Sequence, residues 1–168
     1  MTRFIVFFAC MAVTALAPRV SFAQDTDWLE PSGVIEVSPT DAKVEAAKVA
    51  AIESLPRILA KLDNLPSGWS DVSFKVDFLH GDNNSEFMWV SFLEREKGTF
   101  KGLLVNDPKY VDYAAFGDLV EFEKDQIIDW QYSKNGKLHG HYTTRALLDE
   151  MGPQIRSQML AILSETPE

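Results

Sequence analysis

An Asn-Gly dipeptide at residues 135–136 stands between two strand-like segments, in the stretch "IIDWQYSKNGKLHGHY". This dipeptide is the strongest short-range signal of a two-residue β-hairpin, because both central residues of the turn take positive φ. The turn sets the register, which places Trp130 opposite His141. Ile128 would face Thr143 in the same register. Five side chains are therefore predicted to share one face of the sheet: Ile128, Trp130, Tyr132, His139 and His141.

A helical period precedes the hairpin. Between residues 44 and 62 apolar side chains recur at spacings of three and four, which predicts an amphipathic helix. Ser38 is predicted to be its N-cap, with Pro39 at the first helical position and Asp41 near the positive end of the helix dipole. Pro56 interrupts the pattern and predicts a kink or a restart of the helix.

The period changes to two after residue 71, which predicts strands. Four are expected before the hairpin, at residues 72–78, 86–93, 100–105 and 119–122. After the hairpin, Thr144 is predicted to cap a short helix, and an amphipathic helix follows Gly152-Pro153. We therefore expect an α+β fold, in which a kinked N-terminal helix packs on a bent, mainly antiparallel sheet of five or six strands and a C-terminal helix closes it.

The N-terminal region reads as a secretory signal peptide. An apolar run over residues 4–17 ends at Pro18-Arg19, and Ser21-Phe22-Ala23 forms a small-x-small cleavage site. The run is shorter than the roughly 20 apolar residues that a spanning helix needs. Cys10 lies inside the run, whereas a lipid-anchor cysteine would close it. The predicted organisation is a signal peptide at 1–23, a flexible tether at 24–37 and a single domain at 38–168.

This organisation predicts a periplasmic or secreted protein without a stable membrane anchor after cleavage. Cys10 is the only cysteine and would leave with the signal peptide, so packing alone must hold the fold. The formal net charge of −9 argues against nucleic acid or an anionic membrane surface as partner, because both need clustered Lys and Arg. Another protein with a basic patch, or a cationic peptide, is the expected partner.

No pattern predicts a metal, a cofactor or a catalytic residue. His139 and His141 have a spacing that metal sites use, but a site needs further ligands, so the rings are expected to stack on Trp130 and Tyr132. Asp129 could serve a hydrolase together with either histidine. The sequence has no nucleophile elbow, and an aspartate bonded to the backbone or to Arg145 is the favoured interpretation.

Six blocks carry a family resemblance: "FKVDF", "EFMWVSF", "FKGLLVNDP", "FGDLVEF", "IIDWQY" and "NGKLHGHYTTR". Their order resembles the YegJ-like bacterial family, a domain of unknown function, over residues 72–148. Phe87 stands where many members have a histidine. The resemblance implies a compact α+β fold but no activity, and it maps the family's motif positions onto Met88, Trp89, Gly102, Asn106, Pro108, Gly117, Asp118, Asp129, Trp130 and Arg145.

We expect an exported protein-binding or peptide-binding module, of which an inhibitor or immunity-type role is one version. The alternatives are the hydrolase and a structural envelope protein without a ligand. The predicted binding residues centre on the aromatic hairpin and comprise Trp89, Asp129, Trp130, Tyr132, His139, His141 and Arg145.

Overall fold

The computed structural model of the protein describes residues 41–81 and 84–168. They form an α+β fold, as predicted, with these elements: α1 (Ala42–Leu59), β1 (Trp69–His80), β2 (Asn84–Glu96), β3 (Thr99–Leu104), β4 (Leu119–Phe122), β5 (Ile127–Lys134), β6 (Lys137–Gly140), α2 (Tyr142–Ala146) and α3 (Pro153–Ile162). The predicted signal peptide, the tether, Ser38 and Pro39 lie outside the described residues. Among those described, no helix has the length and apolar character to cross a membrane.

The strands form one antiparallel sheet in the order β4-β3-β2-β1-β5-β6. Neighbouring strands are mostly consecutive in the chain, and the exception is β5, which returns to pair with β1. The sheet interior therefore includes β2, as its apolar character on both faces predicts.

Helix α1 begins later than predicted. Its N-cap is Asp41, whose Oδ1 accepts hydrogen bonds from the N–H groups of Lys43 at 2.8 Å and Val44 at 3.4 Å. The prediction of Ser38 as the N-cap is wrong, because the first helical turn begins at Ala42 and the Asp41 carboxylate accepts from its free N–H groups. The helix runs through Pro56 as one element and ends at Leu59.

The core lies between α1 and the sheet. The buried face of α1, including Ala51, Leu55 and Ile58, packs with the apolar residues of the strands. Trp130 of β5 is 1% exposed, and its Nε1 donates to the Ala51 carbonyl at 3.1 Å and to Ser54 Oγ at 2.9 Å. These hydrogen bonds therefore join β5 to the middle of α1.

The hairpin register is confirmed as far as Gly140. Tyr132 pairs with His139 and Gln131 with Gly140, and the turn residues have positive φ, as the Asn-Gly signal predicts. The ladder ends there because Gly140 (φ 80°) and His141 (φ 56°) both take left-handed conformations.

The predicted ladder beyond Gly140 is therefore wrong. The His141 N–H still donates to the Trp130 carbonyl at 3.0 Å, but Trp130 with His141 and Ile128 with Thr143 do not form strand pairs. His141 instead stands at the N-cap position of α2, where Thr144 was expected. The strand departs here because Gly140 lies against Trp130. A Cβ on Gly140 would be 2.1 Å from the Trp130 carbonyl oxygen and 2.6 Å from its indole Cε3.

We predict that Gly140→Ala lowers the free energy of unfolding by about 3 to 5 kcal/mol, because it adds a steric clash to the strain of a left-handed alanine. Gly136→Ala is the matched control: Gly136 also has positive φ (73°), but no atom of the described residues would lie within 4 Å of its Cβ. The control should lose only about 1 to 2 kcal/mol. Urea denaturation measures both, and equal losses would contradict the proposed contact with Trp130.

Candidate functional site

The predicted binding residues are divided between the two faces of the sheet. Trp130 pairs with Phe74 of β1, whereas Trp89 of β2 pairs with Lys75. Phe74 and Lys75 are consecutive, so they point to opposite faces. The His141 ring contacts Trp89, with 4.7 Å between the centroids, and therefore lies on the face opposite to Trp130.

Three of the predicted residues lie on the α1 face as a stack of rings. Tyr132 lies between Trp69 and His139, with centroid distances of 3.5 Å and 4.8 Å and nearly parallel planes. Trp130 stacks on Tyr132 at 5.9 Å. The expected stacking is thus confirmed for His139 but is wrong for His141. Trp69 was not predicted, because it joins the stack only through the pairing of β1 with β5.

Asp129 lies on the opposite face and is 0% exposed. Its Oδ1 accepts from the N–H groups of Trp130 at 2.8 Å and Tyr142 at 3.1 Å. Its Oδ2 accepts from the N–H of Thr143 at 2.8 Å and from the Thr143 hydroxyl at 2.7 Å. The prediction of an aspartate bonded to the backbone is confirmed, and the carboxylate satisfies N–H groups at the start of α2.

Lys75 of β1 lies on the same face as Asp129. The sequence predicts that Lys75 is a polar residue of a strand, but it does not predict that Lys75 lies beside Asp129. It pairs with Asp129 across the sheet, and its Nζ donates to Thr143 Oγ1 at 3.1 Å. Burial lowers the pKa of Lys75, while the Asp129 charge acts against that shift. Burial also raises the pKa of Asp129, opposed by Lys75 and by the hydrogen bonds from Thr143.

His141 completes the group that we call the buried polar cluster (Lys75, Asp129, His141 and Thr143). The His141 side chain is buried, and its Nδ1 lies 3.2 Å from Thr144 Oγ1. Burial, together with the charges of Lys75 and Arg145, lowers the pKa of His141 to about 3. The ring is therefore neutral at physiological pH.

Arg145 connects α2 with β6 and with the chain after α3. Its Nε donates to the Gly140 carbonyl at 2.7 Å, and its Nη1 donates to the Ser164 carbonyl at 2.9 Å. Nη2 donates to Ser164 Oγ at 2.9 Å. The guanidinium thus binds backbone and hydroxyl oxygens, not Asp129.

Within residues 41–81 and 84–168, no group of three or more His, Cys, Asp or Glu side chains is placed to hold a metal ion.

Aromatic side chains also lie on the surface, around the loop between β3 and β4. We call the exposed aromatic surface the set formed by Phe87, Tyr110, Tyr113 and Phe116, which are 39%, 53%, 62% and 53% exposed. The Tyr113 hydroxyl donates to the Leu79 carbonyl at 3.0 Å, which joins the loop to β1. Because this loop has no periodicity, its sequence does not predict that the aromatic side chains form a surface.

The loop is anchored by one carboxylate. Glu86 accepts from the N–H groups of Lys109, Tyr110 and Val111 at 2.6 to 2.9 Å. Val111 is buried in the core, so the anchored loop presents Tyr110 and Tyr113 in a fixed position.

Comparison with known proteins identifies the family. A family model described as "Uncharacterized protein conserved in bacteria (DUF2314)" matches residues 41–163. The chain belongs to this family. It is also 33% identical to "Uncharacterized protein YegJ" of Escherichia coli (strain K12) over 69 residues, which are 41% of this chain and 44% of that relative.

The chain therefore covers less than half of the length of this relative. No solved structure matches the chain. The resemblance to the YegJ-like family is confirmed, and the family match extends beyond the blocks at residues 72–148 to include α1 and most of the chain up to Leu163.

We predict that His141 makes stability depend on pH in the acid range. The unfolded chain takes up a proton near the ordinary pKa of 6.5, whereas the folded protein does not until about pH 3. The stabilisation is therefore complete above pH 6.5 and is lost as the pH falls towards 3, by up to about 1.4 kcal/mol per pH unit.

His141→Asn should remove this part of the slope, since asparagine tolerates the left-handed backbone but does not titrate. Urea denaturation of both proteins between pH 7 and pH 4 measures the difference. Parallel pH profiles would contradict the assignment.

Proposed function

We propose that the protein is a binding module for basic segments of other proteins or for cationic peptides, and that the exposed aromatic surface is where they bind. The observation that carries the proposal is the exposure of Tyr113 and Phe116, 62% and 53%, on a loop that Glu86 holds in place. Aromatic side chains that are exposed and already ordered bind partners at low cost in conformational entropy.

The aromatic hairpin is less suited to this role. Trp130 and Tyr132 are 1% and 5% exposed, and the Trp130 indole hydrogen bonds are made to α1. The indole N–H therefore has its hydrogen-bond partners within the domain. The binding role is therefore better assigned to rings that face solvent.

Charge around the exposed aromatic surface favours a cationic partner. Burial raises the pKa of the Tyr113 hydroxyl, and the nearby carboxylates of Asp112, Asp77 and Glu86 raise it further. The same negative potential attracts Lys and Arg side chains. Two rings of this surface already hold a lysine of the protein itself: Lys48 Nζ lies 4.3 Å from the Phe87 centroid, and Lys109 Nζ lies 4.9 Å from that of Tyr110.

A basic segment of a toxin would give the inhibitor or immunity version of this role. Export through residues 1–23 stays a prediction and would place the module in the periplasm or outside the cell.

Hydrolysis is the weaker candidate. The Asp129 oxygens already accept four hydrogen bonds, and Asp129 is 0% exposed. The neutral His141 ring is bonded to Thr144 and not to a carboxylate among the described residues. The buried polar cluster therefore lacks an exposed base next to a nucleophile, which hydrolysis requires.

A fluorescence titration tests the binding proposal. We expect a labelled decapeptide of lysines and leucines to bind the wild-type protein, with an affinity that falls as salt is added. Tyr113→Ser and Phe116→Ser should each weaken binding by about tenfold, because each removes a central aromatic contact.

Leu160→Ser is the matched control, since Leu160 is an exposed apolar residue (47%) on α3 and should not alter the affinity. An analogue with glutamate in place of lysine should not bind. The proposal fails if the peptide does not bind the wild-type protein, or if all three variants bind it equally.

A further inference from the structure

Residues 163–168, which we call the tail segment, extend the sheet beyond β6. Leu163 forms a parallel bridge with Leu138. The Ser164 N–H donates to the Leu138 carbonyl at 2.9 Å, and the Gly140 N–H donates to the Pro167 carbonyl at 2.7 Å. The tail segment therefore binds to the edge of β6 through its main chain, as an added strand does.

Side chains of the domain bind the tail segment at two further points. Arg145 donates to the carbonyl and the hydroxyl of Ser164. Arg57 of α1 forms a two-pronged ion pair with Glu168, in which Nη1 lies 2.7 Å from Oε2 and Nη2 contacts Oε1. The geometry is the paired hydrogen bonding by which arginine recognises a carboxylate.

An aromatic cavity lies beside this ion pair. Its volume is about 140 Å³, and its apolar lining comes from Ile58, Trp69, Trp130 and Tyr132. Arg57, Lys61 and Glu168 complete the lining. A shallow groove continues from the other side of the ion pair along Ala50, Ser54, Tyr142 and Pro167. Glu168 and Arg57 line both spaces, so moving Glu168 would join them.

The second half of the tail segment is more exposed than the first. Leu163 is buried, but Glu165, Thr166 and Glu168 are exposed, and the ion pair of Arg57 with Glu168 is exposed on both sides. Segments with few buried contacts and solvent-exposed hydrogen bonds open at low free energy. The strand edge, Arg57 and the apolar lining of the cavity lie outside the tail segment and remain when it leaves.

We propose that the tail segment occupies a peptide-binding groove, and that an extended acidic peptide of a partner protein takes its place. The partner's main chain pairs with β6, its carboxylate binds Arg57, and an apolar side chain enters the aromatic cavity. The charge preference is opposite to that of the exposed aromatic surface, so this inference is independent of the proposed function.

The test uses the tail sequence as a labelled peptide in trans, fluorescein-LSETPE-amide, and follows its binding by fluorescence anisotropy. In the wild-type protein the attached tail segment competes at a millimolar effective concentration, so the peptide should bind weakly. Glu168→Gln weakens the attached competitor and should lower the apparent Kd of the peptide by about threefold.

A second peptide, with glutamine in place of the last glutamate, should bind the Glu168→Gln protein about threefold more weakly than the first. Adding Arg57→Gln should remove this preference, which separates recognition of the carboxylate from a general change in stability. The proposal is overturned if neither peptide binds to any of the proteins, or if the two peptides bind equally while Arg57 is intact.

Discussion

The fold depends on the buried carboxylate of Asp129. It lies at 0% exposure and accepts the N–H groups of Trp130, Tyr142 and Thr143 as well as the Thr143 hydroxyl. Each of these donors would lose its partner if the carboxylate were absent, and a buried unsatisfied donor costs roughly 1 to 3 kcal/mol. Burying the carboxylate removes it from water, which costs free energy. Those donors and the neighbouring Lys75 offset this cost. Asp129 thereby determines where β5 ends its pairing with β6 and where α2 begins.

The next residue determines the packing of the opposite face. Trp130 points away from Asp129, towards α1, and its indole N–H bonds to Ala51 and Ser54 of the helix. Its carbonyl accepts from the His141 N–H at 3.0 Å, and its ring lies where a Cβ on Gly140 would be. A single Asp-Trp dipeptide thus joins the sheet to α1 through the indole N–H and to the start of α2 through the carboxylate. Because both residues are interior, their polar groups are used for folding.

The sequence predicts the features that depend on local chemistry. The strand periodicity and the Asn135-Gly136 turn correctly predict β4, the hairpin and its register up to Gly140. The prediction fails beyond Gly140, because two consecutive left-handed residues follow from contact with Trp130 and not from the residues themselves. Lys75 and Trp69 were missed for a similar reason, since only the long-range pairing of β1 with β5 brings them to the hairpin. The oxygens that Arg145 binds come from β6 and from the chain after α3, which no local pattern joins.

Three of the motif positions behind the family resemblance therefore hold the fold together. Asp129 binds backbone N–H groups, Trp130 binds α1, and Arg145 joins β6 to the tail segment. A chain that retains these contacts retains the fold whatever it binds, so membership in the family does not specify a ligand. Specificity must then come from groups that face solvent and are not needed to hold the core. The exposed aromatic surface and Arg57 beside the tail segment meet that condition, and they differ in charge, so we propose separate sites for a basic and for an acidic partner on one domain.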